Sequence, residues 1–295
     1  MRKPWAVLGL ALLLCAVAAG QKDRGVKVYI SVDMEGIAGI VDETQTSPTG
    51  RDYAVGRRLM TAEANAAIAA AFEAGATEVV VNDSHWDQTN LVPDEIDRRA
   101  TLITGAPKPY GMMQGLDDSF AAVIFIGYHA RGSTGDAVID HTYSDQLKHV
   151  RLNGREVGEY GLNAALAGHY GVPVVFISGD TVLSEQAREF IPGVEALAVK
   201  QGIGRTAARS LHPEVARDKI TAGIKTAMAR RAQIPPVRLS QPVTLEVELA
   251  SSRQADSCMM VPGMKGISGR VVSYTAPDMA VAYRVSRLIS RLAGS

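Results

Sequence analysis

Apolar residues fall along this chain in short dense runs that stop at polar residues, and between the runs lie stretches with helical spacing. The first run covers Val26 to Val32 and ends abruptly at Asp33-Met34-Glu35, with Gly36 and Gly39 marking a turn. β-Branched and aromatic residues make it a predicted strand. A polar loop over 42–52 precedes Tyr53 to Ala74, whose alanine-rich second half predicts a helix ended at Gly75 and packed closely on a sheet. Thr77 to Val81 is the next strand and runs into Asn82-Asp83-Ser84-His85. Strand, helix, strand in this order is a right-handed βαβ unit with parallel strands.

The same alternation continues. Leu102-Ile103 reads as a short strand, and Ala121 to Gly127 as a strand covered on both faces, ending in Tyr128-His129-Ala130-Arg131. Lys148 to Leu152 is a strand followed by the hairpin signal Asn153-Gly154. Glu159 to Tyr170 is a helix closed by Gly171, and Val172 to Ser178 a further apolar strand. Then come a helix over Ser184 to Phe190, a strand near Ala196 to Lys200 and a long helix from Arg205 to Ala232. After the linker Ile234-Pro235-Pro236, Val243 to Leu249 alternates strictly, as a strand with one wet face does; Arg270 to Tyr274 is a strand and Asp278 to Leu292 an amphipathic helix. The pattern predicts an α/β fold with a largely parallel, doubly wound sheet and a smaller α+β portion.

The N-terminus follows different rules. Arg2 and Lys3 precede an apolar run from Trp5 to Ala19, and Ala18, Ala19 and Gly20 lead into polar sequence. Residues 1–20 therefore read as a signal peptide, cleaved after Gly20 or Ala18, and the protein as exported to the periplasm or beyond the cell with no stable membrane association. Leu14 stands where a lipobox before Cys15 normally has a small residue, which argues against lipidation. Residues 21–295 read as one catalytic α/β unit in which 236–295 is a candidate α+β subdomain. Cys258 is then the single remaining cysteine, so no intramolecular disulfide can form, and it reads as a small buried apolar residue. With 31 basic and 31 acidic side chains, the chain gives no electrostatic reason to expect nucleic acid as a partner.

Parallel sheets carry their functional groups at the carboxyl ends of the strands. Asp33, Glu35, His85 and His129 stand at such ends, and Glu159 at a helix start. Along a strand, residues two apart share a face, so Asp33 and Glu35 can present both carboxylates to one spot. Two adjacent acids are unfavourable unless one is protonated or a cation lies between them. Carboxylates mixed with imidazoles suit zinc or a similar divalent ion. Five such ligands exceed one closed tetrahedral site and suit two ions sharing a bridging carboxylate, the usual equipment for hydrolysis.

The segments SVDMEGIAGI, EANAAIAAAFEAGATEVVVNDSH, GLDDSFAAVIFIGYHAR, VGEYGLNAALAGHYGVPVVFISGD and AVKQGIGR, in that order, resemble the DppA-type D-aminopeptidases of the M55 metallopeptidase family. The resemblance runs from Val26 to the last helix. It implies a zinc-dependent aminopeptidase with a dinuclear site, acting on short peptides that begin with a D-residue, D-Ala-D-Ala being the type substrate. It places metal ligands at Asp33, Glu35, His85, His129 and Glu159, with Asp33 bridging, and implies a ring-shaped homo-oligomer. A further family histidine, proposed as the catalytic group, falls on His141 as nucleophile, base or oxyanion donor. His149, inside a strand, reads as structural, and His169 and His212 receive no role. For Asp83, capping a loop competes with receiving a substrate amine. The rival functions are another metal-dependent amidase or esterase, or a non-catalytic peptide-binding protein.

Overall fold

A computed structural model describes residues 25–294; the expected signal peptide and Cys15 lie outside them. In chain order the elements are β1 (Lys27–Val32), α1 (Glu43–Thr46), α2 (Tyr53–Glu73), β2 (Glu78–Asp83), β3 (Thr101–Ile103), β4 (Ala122–Ile126), β5 (Leu147–Leu152), β6 (Arg155–Val157) and α3 (Glu159–His169). They continue with β7 (Val174–Asp180), α4 (Thr181–Phe190), β8 (Glu195–Gly204), β9 (Ala207–Ser210), α5 (Pro213–Ala229), β10 (Val243–Leu249), α6 (Ser252–Cys258), β11 (Lys265–Gly266), β12 (Val271–Ala276) and α7 (Met279–Ala293).

The main sheet has the order β3-β2-β1-β4-β7-β8-β9 and is parallel except for the β8–β9 pair. From β1 the chain moves outward to β2 and β3, then returns to lay β4 on the other side of β1. That reversal opens a crevice at the carboxyl ends of β1 and β4, the ordinary ligand site of an open α/β sheet. Val28, Ile30 and Val32 face a core shared with α2 and α5. Tyr29 faces the opposite core, which α3, α4 and α7 complete. Ala64, Ala67, Ala70 and Ala71 of α2 are fully buried, so the alanines serve close helix–sheet approach.

A second, antiparallel sheet has the order β11-β12-β10-β5-β6. Val243, Leu245, Val247 and Leu249 of β10 are buried, while Glu246 and Glu248 face outward and pair across strands with Arg151 (2.8 Å) and Arg270 (2.9 Å). Asn153 and Gly154 both take positive φ (48° and 80°) in the β5–β6 hairpin, the mirror-image turn that matches strand twist. This sheet combines residues after 236 with β5 and β6 from mid-chain.

One expectation fails. The long helix predicted from Arg205 to Ala232 begins only at Pro213, with His212 as its cap, and residues before it form the β8–β9 hairpin. Proline suits the first helical position because its missing N–H would have no partner there. The residue preceding a proline is pushed out of helical geometry, which sets the boundary. α6 was absent from the sequence pattern, being short.

Candidate metal centre

The loop after β1 is held from three directions. Its Asp33 and Gly36 amides donate to the carbonyls of Ile126 (2.8 Å) and Gly127 (2.7 Å), tying it to the end of β4. A Cβ on Gly36 would lie 1.9 Å from the Tyr128 carbonyl oxygen, so only glycine allows this approach. From β8, the buried Lys200 ammonium donates to the carbonyls of Glu35, Ile37 (3.1 Å) and Ile40 (2.5 Å). From α2, the Glu63 carboxylate accepts from the Ala38 amide (2.9 Å). Burial pushes Lys200 down to about 8 and Glu63 up to about 7.

All six predicted side chains converge beside this loop. The His85 Nδ1 lies 3.0 Å from Glu35 Oε2 and 3.3 Å from Asp33 Oδ1. The His129 Nε2 lies 3.5 Å from Asp33 Oδ2 and 3.7 Å from Glu159 Oε1. The His141 Nε2 is also 3.7 Å from Glu159 Oε1, and its ring stacks on His129 at 4.0 Å. Glu159 opens α3, and its Oε1 accepts from the Tyr143 amide (2.6 Å).

Each histidine has its other nitrogen against a backbone carbonyl: His85 Nε2 at Thr46 (2.9 Å), His129 Nδ1 at Ala130 (2.9 Å), His141 Nδ1 at Ile139 (2.9 Å). A carbonyl only accepts, so those nitrogens carry the protons and the neutral rings turn lone pairs toward the carboxylates. Three lone pairs then face three carboxylates. That arrangement is repulsive unless protons or cations lie between them. Asp33 Oδ2 and His129 Nε2, both buried, have no hydrogen-bond partner.

The electrostatics carry the same message. Burial, then the neighbouring Glu35 charge, pushes Asp33 up to about 7. Burial also raises Glu35, but the charge of His85 and its hydrogen bond outweigh that and hold Glu35 well below the usual range. His85 and His129 are depressed by burial, yet the surrounding carboxylates, Glu35 first for His85 and Glu159 first for His129, raise His85 well above normal and His129 to about 10. Glu159 is held low because His129 overcomes its burial. Burial, then the His129 charge, pushes His141 down.

The donor set fits divalent metal. Atoms of Asp33, Glu35 and His129 lie within 4.8 Å of one another, as do atoms of His129, His141 and Glu159. His141, assigned from the sequence to catalysis, is therefore also within ligand reach. It differs from its neighbours in exposure: its side chain is 17% exposed, against 1% for His129. The cluster forms one wall of a cavity of about 420 Å³ that also meets Trp86, Tyr143, Arg205 and Arg287.

Other candidates resolve as structural. Asp83 caps its loop, accepting from the amides of Asn90 (2.5 Å) and Leu91 (2.7 Å) and from the Asn90 side chain (2.9 Å). His149 pairs with Glu156 across the β5–β6 hairpin, and Cys258 is buried. Two supporting features were not read from the sequence. The Thr46 carbonyl that fixes His85 ends α1, whose Asp42…Gln45 capping box was a legible signal within a stretch read as loop. Beneath the site, Ser31 bonds Ser84 (2.6 Å) and Tyr128 (2.7 Å), and Asn163 bonds Tyr128 (2.8 Å) and Tyr283 (2.7 Å). No short pattern announces that network.

Comparison with known proteins places this geometry. The M55 peptidase profile, described as D-aminopeptidase, matches residues 26–288. A D-aminopeptidase of Bacillus subtilis strain 168 is 41% identical over 268 residues, which cover 90% of this chain and 97% of the relative. The solved structure of the Zn-dependent D-aminopeptidase DppA from Bacillus subtilis, a self-compartmentalizing protease, matches with a TM-score of 0.89 at 40% identity. That match covers 91% of this chain and 98% of the other. The chain therefore belongs to the M55 family of D-aminopeptidases and is a metallo-aminopeptidase, an enzyme that hydrolyses peptide bonds.

Proposed function

We propose that this enzyme removes the N-terminal D-residue from short peptides of the D-Ala-D-Ala type, using two zinc ions and a histidine. The observation that carries the reading is the meeting of three imidazole lone pairs with three carboxylates, including the unpartnered Asp33 Oδ2 and His129 Nε2. Two divalent cations would exceed the charge of the three carboxylates by one, which favours a negatively charged or hydroxide-like oxygen at the site, whereas one cation would leave the buried site with an excess of negative charge.

Asp33 has one oxygen toward His85 and the other toward His129, as a bridging ligand requires. Glu35 and His85 would hold one ion with it, and His129 and Glu159 the other. Zinc, when bound, supplies Lewis acidity toward a peptide carbonyl and toward water. His141, partly exposed at the cavity, has Nδ1 held by Ile139, so Nε2 is the atom that takes a proton from the attacking water and returns it to the departing amine. The Ala130 and Thr46 carbonyls keep the other two rings in the tautomers that ligate.

The cavity volume suits a dipeptide-sized molecule, within the range of about 300–1,000 Å³ common for small-ligand sites. The self-compartmentalizing relative supports a homo-oligomer, read as ring-shaped, and the character of residues 1–20 supports export. The test is turnover of D-Ala-D-Ala, L-Ala-L-Ala and a phosphodiester by zinc-loaded protein. Cleavage of the D-dipeptide that is lost with chelator and restored by zinc is expected. Activity that survives chelation, or that favours the L-dipeptide or the phosphodiester, overturns the reading.

A further inference from the structure

The cavity beside the metal cluster is acid-rich: Asp33, Glu35, Glu43, Asp145 and Glu159 all contribute to its lining. Two guanidinium groups reach it, and they are differently committed. Arg205 pairs with Glu43 (3.0 Å), Asp145 (3.0 Å) and Asp140 (3.4 Å). Arg287, half-buried on α7, has no carboxylate partner among the described residues. Its guanidinium lies over the Tyr143 ring at 4.5 Å, and the Tyr143 amide in turn donates to Glu159 Oε1 (2.6 Å).

We infer that Arg287 receives the free α-carboxylate of the peptide substrate; this rests on the D-peptide reading above. A dipeptide carries a positive amine at one end and a negative carboxylate at the other. With zinc bound, Asp33, Glu35 and Glu159 would be taken up by the metals, while Glu43 and Asp145 are paired with Arg205, so Arg287 is the guanidinium of the lining left without a carboxylate among the described residues. A guanidinium presents parallel N–H donors that match a carboxylate two-to-two. Contact with the Tyr143 ring restrains the guanidinium, which lowers the ordering cost of binding. Tyr143 also fixes Glu159, so one short loop spaces the carboxylate site from the metal cluster.

The test compares D-Ala-D-Ala with its C-terminal amide, using zinc-loaded wild type, Arg287→Gln and Arg287→Lys. Wild type is expected to favour the free acid by about 10- to 100-fold, the worth of a hydrogen-bonded charge pair, chiefly through KM. Arg287→Gln erases that preference by losing far more on the acid than on the amide, and Arg287→Lys recovers part of it. Equal treatment of acid and amide by wild type, or an equal loss on both in Arg287→Gln, overturns the inference. Calorimetric titration with D-alanine and D-alaninamide gives a second reading, in which Arg287→Gln weakens only D-alanine. If wild type cleaves neither peptide, the D-Ala-D-Ala reading fails, and the titration alone decides for Arg287.

Discussion

The two halves of the metal cluster are built from the same chemistry but held differently. On one side His85, Asp33 and Glu35 sit within 3.0–3.3 Å, all nearly inaccessible, on a loop that Lys200, Glu63 and the β4 end hold in place. On the other, His129 and His141 each stand 3.7 Å from Glu159, and His141 opens to the cavity. The closed side keeps acids together against their repulsion. The open side leaves a histidine able to meet a substrate. Asp33 belongs to both, so the difference between the halves can be tested through it.

Removing the shared residue has the largest expected effect. Asp33→Ala should lose metal from both halves and lower kcat/KM by at least about 10³-fold, read by metal analysis beside turnover. His141→Ala separates the halves: turnover falls by about 10²- to 10⁴-fold, the worth of a general base, while metal content stays at the wild-type value. Loss of metal in His141→Ala would make it a ligand and erase the distinction between an open catalytic edge and a closed binding one.

The smallest effect concerns stability. In chelated protein, His129 titrates near 10 and Asp33 near 7, both above their unfolded values, and His85 is raised as well. The folded state then holds more protons than the unfolded one, so stability falls as pH rises: the Asp33 contribution is full below about pH 4 and lost by about 7, and that of His129 is full below about 6.5 and lost toward 10. Glu35 and Glu159 are lowered, so their contribution is present above about pH 4.5 and is lost on acidification below it. The Tm of chelated protein should therefore drop between pH 7 and 10, and zinc should flatten that slope. An equal slope with and without zinc would mean that protons and metal do not compete for these atoms.

Much of this was legible because strand ends announce themselves. An apolar run stopping at Asp33-Met34-Glu35, or at Tyr128-His129, marks both an element and its chemistry, and parallel β1, β2 and β4 bring those ends together. The pieces that were not legible depend on pairings distant in sequence. Residues 205–212 carry helix-compatible side chains, yet β8 offers an antiparallel partner and Pro213 fixes where the helix can begin. The membership of β5 and β6 in the second sheet depends on β10, and no local pattern encodes that choice. The polar network from Ser31 to Tyr283 likewise consists of residues ordinary in isolation.

The pairing of β5 with β10 joins the middle of the chain to its end, and α7, the last helix, carries Arg287 to the cavity. Synthesis from the N-terminus delivers Asp33, Glu35, His85 and His129 long before the strand and helix that enclose them. Contacts so far apart in sequence close late in folding. A nascent chain thus holds the acids before the helix that brings Arg287 to the cavity has been made.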